Sequence, residues 1–282
     1  MRKRISFISV LTMFLAIGFV IIFSRPVKAA ANGVILKANR TYAAYDVTGD
    51  GMKDKIRIRA ANQTDDEAYT SLTVSVNGKT ACRLKNTRFY NVIANIYTLK
   101  NGQPFLYLYA PADNGDGPVC ALLKYTNGKF RKALDFTEIM AGYGNHRIGE
   151  VTNLNGNKIV ITESIVSYSL GINAINFTYK YVNGKFVPTS RYGSYKEIYS
   201  TDGSSRYFTV NSDLPAYTRP GATAVNTTLK TGSLTKIIKC ALINGKMYIQ
   251  LECDGEIYWI KALENPPIAD NERQFMEVRY AG

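Results

Sequence analysis

What most constrains this chain is a series of short segments of alternating polarity, several of them closed by a turn that few residue pairs can make. KIRIRA (55–60), SLTVSVN (71–77), FLYLYA (105–110), KIVITES (158–164) and INFTYKYV (175–182) carry β-branched or aromatic residues at every second position. A period of two sends successive side chains to opposite faces of a sheet, so each segment is a predicted strand. No stretch shows the 3.6-residue period of a long amphipathic helix, and a single short helix is expected near ALDFTEIMAGYG (133–144). The 20 Tyr and 12 Phe suit half-buried sheet positions, which makes the expected fold class mainly β.

The turns order these strands into units. Asn-Gly-Lys recurs at 77–79, 127–129 and 183–185, offsets of 50 and 56 residues, each time between two predicted strands. Asn-Gly suits a two-residue hairpin turn, because both central residues must take positive φ. YTNGKF (125–130) matches YVNGKF (181–186), and LKNGQPFLYLY and LNGNKIVITE precede them as further turn-and-strand pairs. The unit is strand, loop, strand, Asn-Gly hairpin, strand. Three units are too few to close a propeller, so residues 38–198 are expected to form an open partial-propeller or sandwich-like repeat domain. The Ser, Gly and Asp of YSTDGSSRYF (199–208) read as a linker to a second domain at 206–282.

The first residues stand apart from this pattern. Arg2, Lys3 and Arg4 precede an apolar run from Ile5 to Phe23, and Val27-Lys28-Ala29 offers small residues where a signal peptidase reads. Residues 1–29 are therefore expected to be a secretory signal peptide, or an uncleaved membrane anchor, since the run is long enough to span a bilayer. Either way the protein is expected to be secreted or bound to the envelope. The whole chain carries 35 Lys and Arg against 22 Asp and Glu, a formal charge of +13; the segment 1–29 holds five of the cations and no acid, leaving +8. That balance favours anionic wall polymers or head groups as partners. No nucleic-acid role is expected, because the cations are scattered along the sequence without a known motif.

Against this basic background DVTGDGMKDK (46–55) reads the other way. Counted from Asp46, the side chains of Asp46, Thr48, Asp50 and Asp54 and the carbonyl of Met52 fall at positions 1, 3, 5, 9 and 7, with Gly51 at 6. These are the oxygen positions of a calcium loop, in which alternate residues of a tight turn point inward and a cation relieves the repulsion among carboxylates. Arg57 stands where an EF-hand needs its bidentate Glu, and strands rather than helices flank the loop. The pattern resembles the calcium loop of FG-GAP or VCBS repeats, with Thr48 in place of the usual Asx. The resemblance implies a structural calcium held by Asp46, Thr48, Asp50, Met52 and Asp54. A metal-free Asp/Gly turn is the plainer alternative. DNGDG (113–117) lacks an acid at the ninth position and reads as a loop.

Within 206–282, LPAYTRPGATA, LKTGSLTKIIK and YWIKA follow one another in an order similar to bacterial SH3-like domains, matched at Arg219, Gly221, Lys230, Gly232, Trp259 and Lys261. The resemblance implies a small SH3-like β-barrel. Turns at Asn244-Gly245 and Asp254-Gly255 predict a three-stranded meander with Cys240 opposite Ile249, and Trp259 opposite Gln250 beside Tyr248 and Lys261. Tyr248, Trp259 and Lys261 then form a candidate platform for a peptide or glycan; packing of Trp259 beneath a long loop is the competing arrangement. Four cysteines leave Cys82 with Cys120 as a possible pair, buried thiols being the alternative.

The only histidine is His146, and no nucleophile motif accompanies it. One His also leaves no multi-histidine zinc site. The expected function is thus a non-catalytic exported binding or adhesion protein, ordered by calcium and contacting peptidoglycan, an anionic wall polymer or a protein ligand. The alternative is a wall- or glycan-processing hydrolase built on a carboxylate pair drawn from Asp135, Glu138 and Glu163.

Overall fold

The structure is a computed structural model that describes residues 34–280, so the expected leader at 1–29 lies outside the described residues. Among these residues the chain is mainly β, with three short 3-10 turns and no α-helix. It runs through β1 (Val34–Leu36), β2 (Arg40–Tyr45), β3 (Asp54–Gln63), β4 (Tyr69–Val76) and β5 (Lys79–Phe89). Next come β6 (Ile93–Thr98), β7 (Pro104–Ala110), β8 (Val119–Thr126) and β9 (Lys129–Asp135). β2–β5 make a four-stranded antiparallel sheet, and β1 joins β6–β9 in a five-stranded one. β10 (Gly144–Asn155), β11 (Lys158–Ser167), β12 (Gly171–Val182), β13 (Lys185–Pro188) and β14 (Tyr192–Ser200) open a third sheet. After β15 (Gly203–Ser204), β16 (Tyr207–Thr209) and the ribbon β17 (Leu214–Ala216) with β18 (Thr227–Leu229), that sheet is completed by β19 (Leu234–Ile243), β20 (Lys246–Cys253) and β21 (Glu256–Lys261).

Alternation explains how the sheets stack. β3 and β4 turn Ile56, Ile58, Leu72, Val74 and Val76 inward, onto Ile96, Leu106, Leu108 and Ala121 of the five-stranded sheet. The other face of that sheet presents Tyr97, Phe105, Tyr107, Cys120 and Leu122 to Ile161, Ile175, Phe177 and Tyr179 of the ten-stranded sheet. The middle sheet is therefore covered on both sides. That accounts for the sequence FLYLYA, in which leucine and aromatic residues alternate and both sets are buried. Full burial of each such side chain contributes about 1.5–3 kcal/mol, and the stack is sandwich-like in the sense expected.

The Asn-Gly turns form as expected. Asn77, Asn127, Asn183 and Asn244 have φ of 50°, 50°, 48° and 50°, and the glycines after them are also positive, the geometry that two-residue hairpins require. The expected helix does not form. Asp135 caps a single 3-10 turn, Phe136–Glu138, by accepting from the Thr137 N–H, and Phe136 drops into the core between the sheets. Gly149 makes room for that ring: a Cβ there would lie 1.8 Å from Phe136 Cδ1.

Residues 206–280 continue the ten-stranded sheet rather than closing a barrel of their own. β19 pairs with β14 through Tyr192↔Ala241 and Ser194↔Lys239, and no sheet among the described residues closes on itself. The stretch read as a linker is a tight hairpin of β14 with β15, followed by β16 on the edge of β19. All four cysteines are free thiols. Cys120 points to the ten-stranded sheet while Cys82 packs on the opposite side of the middle sheet, so the possible Cys82–Cys120 pair is corrected to two separated thiols.

Candidate functional site

The acidic loop joins β2 to β3, and its own backbone shapes it. Asp46 accepts from Gly49 N at 2.6 Å and Gly51 N at 2.8 Å, and Asp50 accepts from Met52 N at 2.8 Å. At Asp46 desolvation, the largest single influence, would raise the carboxyl, but the N–H groups of Gly49, Gly51 and Asp50 and the Thr48 hydroxyl together outweigh it and hold it below the ordinary aspartate value. Asp54 is different. It is 1% exposed, and its Oδ2 accepts from Val47 N at 2.7 Å and Thr48 N at 2.9 Å. Its Oδ1 accepts from Asn77 Nδ2 at 2.6 Å, so Asp54 clasps the loop to the first Asn-Gly turn.

The Thr48 hydroxyl stands between the carboxylates of Asp46 and Asp54. Thr48 Oγ1 lies 3.3 Å from Asp46 Oδ1 and 3.3 Å from Asp54 Oδ1. That is long for an O–H···O hydrogen bond, whose usual spacing is about 2.7–2.8 Å. It matches neighbouring oxygens around one cation, since ligands at about 2.4 Å and a right angle stand about 3.4 Å apart. The donor set, carboxylate and hydroxyl oxygens with a nearby carbonyl, suits calcium. The fit is incomplete at Asp50 and Met52: no cluster of three acidic, His or Cys side chains forms among the described residues, and the Met52 side chain is 68% exposed.

The second group of expected residues lies on the outward face of β19–β21, in the predicted register. Gln250 pairs with Trp259, and Tyr248 with Lys261. The platform, however, is covered. The segment after β17 bridges to β21 through Tyr217 N–H to the Trp259 carbonyl at 2.8 Å and the reciprocal bond at 2.9 Å. Trp259 is thereby 4% and Tyr248 5% exposed, packed with Tyr217, Ala241 and Ala222, while Lys261 lies 5.2 Å over the Tyr217 ring. Trp259 and Tyr248 are thus a supporting layer, the long-loop arrangement. What reaches solvent is Tyr192 at the start of β14, 40% exposed, its ring centroid 5.9 Å from that of Trp259. Lys239 stands 4.7 Å and Arg191 5.7 Å from the Tyr192 ring centroid. Tyr192 escapes sequence reasoning because its neighbours Lys239 and Trp259 come from β19 and β21, 47 and 67 residues further along the chain.

The acids of the hydrolase alternative lie in two different settings. Asp135 accepts from Thr137 N and Oγ1 and pairs with Lys132. It shares an open hollow of about 310 Å³ with Glu138. Glu163 is fully buried between β10 and β12, with neither oxygen hydrogen-bonded. A further hollow of about 280 Å³ contains His146, Asp116, Arg147, Tyr109, Thr137 and Cys120. His146 Nδ1 is 3.0 Å from Asp116 Oδ2, and Arg147 is engaged by the carbonyls of Thr137 and Gly144. Burial pushes the Cys120 thiol up to about 12, so it stays protonated and supplies no thiolate at neutral pH.

Comparison of the chain with protein-family models, with curated proteins and with solved structures returns no match.

Proposed function

We propose that this is an exported, non-catalytic binding protein that contacts a glycan or peptide of the cell envelope through the corner formed by Tyr192, Trp259, Lys239 and Arg191. The carrying observation is a tyrosine held half in solvent on top of a buried tryptophan and flanked by two cations. An aromatic face supported from below loses little entropy on binding, and its neighbours add attraction for anionic groups. Trp259, Tyr248 and Lys261 keep a part in this reading as the layer beneath. The order of motifs in 206–282 supports kinship with SH3-like modules, with their strands built into a larger sheet.

Calcium belongs to the same proposal as a structural ion. Asp46 Oδ1, Thr48 Oγ1 and Asp54 Oδ1 would hold it, with Asp50 and the Met52 carbonyl completing the shell. A bound divalent ion supplies charge neutralisation and a fixed centre between β2 and β3. The loop's hydrogen bonds support this reading and, with it, the likeness to FG-GAP or VCBS repeats.

The corner is tested by pull-down on purified cell walls. Replacing Tyr192 with Ala should weaken retention roughly fivefold, about 1 kcal/mol, with an unchanged thermal midpoint. Wild-type retention by the variant would remove the corner from the account.

A further inference from the structure

The outward face of β3–β5 gathers cations that look scattered in the sequence. β3 alternates strictly: Ile56, Ile58 and Ala60 are buried, while Lys55, Arg57 and Arg59 are exposed. β4 turns Ser71, Thr73 and Ser75 to the same side, and β5 adds Arg83 and Lys85. The register fixes their arrangement, with Arg59 opposite Thr73 and Thr73 opposite Arg83, and Arg57 opposite Ser75. The face therefore carries five cations separated by small hydroxyl side chains and no acid. None of the five takes part in an ion pair among the described residues.

Surface solubility does not account for this pattern. Charged residues on an edge strand block sheet-to-sheet pairing, which explains Arg83 and Lys85 on β5. β3 is an interior strand, paired on both sides, and needs no such protection. Three like charges on one face of one strand repel each other unless an anion lies across them.

We propose that this face is a binding surface for a polyol-phosphate chain, the phosphodiester class of anionic wall polymer. It rests on the proposed envelope location and names a second contact, independent of the Tyr192 corner. The spacing suits the ligand. Successive outward side chains on β3 stand about 6.7 Å apart, and β3 and β5 are about 9.6 Å apart across β4. A three-carbon polyol between phosphates sets its charges about 7 Å apart when extended. A chain along β3 can thus place a phosphate at each of Lys55, Arg57 and Arg59, with Arg83 and Lys85 reaching from the edge. Arg offers a fork to phosphate oxygens, and the hydroxyls of Thr73 and Ser75 lie between the cationic rows. The absence of an outward apolar side chain larger than Ala61 along β3 favours an extended polymer over insertion into lipid.

The test measures binding of the purified protein to synthetic poly(glycerol phosphate) as a function of salt. Five contacts give a slope of about −3.5 in log affinity against log salt. Combined Arg57→Ser, Arg59→Ser and Arg83→Ser should lower affinity at least about tenfold and reduce the slope to about −1.4. The corresponding Arg→Lys triple variant should bind within about twofold to threefold of wild type, since charge is kept and only the fork is lost. All three sites are exposed, so thermal midpoints should agree. Tyr192→Ala should leave this binding unchanged while weakening retention on cell walls, which separates failure of one site from failure of the other. The proposal is overturned if the serine variant keeps wild-type affinity and slope. It is equally overturned if anionic phospholipid vesicles or single-stranded DNA bind more tightly than the polymer.

Discussion

Asp54 and Asp50 belong to one motif yet differ in what they do. Asp54 is buried and accepts from Val47, Thr48 and Asn77, so it holds the loop shape with or without an ion. Asp54→Ala should cost about 2–4 kcal/mol in urea unfolding even in chelator, because several buried donors lose their acceptor. Asp50→Ala should cost little in chelator; if calcium is held as proposed, millimolar calcium should raise the wild-type thermal midpoint, and the variant should show a smaller rise. Glu163 is a residue the proposed function does not use. Burial raises its carboxyl well above the ordinary value; Arg147 on β10 opposes the shift and Asp135 at the end of β9 adds to it. Cys120 on β8 and Tyr179 on β12 face it as well. The folded state therefore binds this proton more tightly than the unfolded chain. Its contribution is complete below the unfolded value near pH 4 and is lost as pH rises toward the folded value, at about 1.4 kcal/mol per unit. Glu163→Gln should remove that slope, so the variant gains on wild type from pH 5 upward in denaturant titrations and matches it at pH 4.

Strands were legible in the sequence wherever one face meets solvent. KIRIR and SLTVSV show their alternation directly, and the Asn244 and Asp254 turns fix the register of β20–β21 throughout and of β19–β20 from Lys239 to Ile243, beyond which a bulge at Ile238 shifts the pairing by one residue. FLYLYA could be recognised as a strand, but its burial on both faces depends on two other sheets, which no local pattern reports. Leu108→Ala on β7 should accordingly cost about 2–5 kcal/mol, as in a core, whereas a half-exposed strand position would lose less than 1. The short helix failed for a related reason: Phe136 and Met140 are drawn into the space between sheets and do not line a helix face. Packing of Trp259 beneath a loop could be anticipated, but not which segment covers it, since that cover arrives from β17 through a bridge at Tyr217. The acidic loop, by contrast, is local, and its hydrogen bonds run between residues close together in sequence, from Asp46 to Asp54.

At the scale of the molecule, the boundary read at 199–208 is crossed by sheet pairing. β19 joins β14, and Phe275 and Val278 pack into the same core as Phe208 and Ile237. Residues 206–282 expressed alone should therefore lack native hydrogen-exchange protection in β19, while the intact protein protects β12, β14 and β19 to a similar degree. The net charge of +13 was plain from composition, but its concentration on β3–β5 required the register. Two cationic surfaces, one with an aromatic ring and one built from alternating Lys, Arg and hydroxyl side chains, suggest a protein that holds wall material by several weak contacts whose effects multiply. The most direct measurement incubates the protein with purified cell walls and follows both retention and the release of wall fragments. The account predicts saturable retention that high salt reverses, with the walls left intact. Protein that stays in the supernatant at low salt, or soluble fragments that accumulate with time, would contradict it.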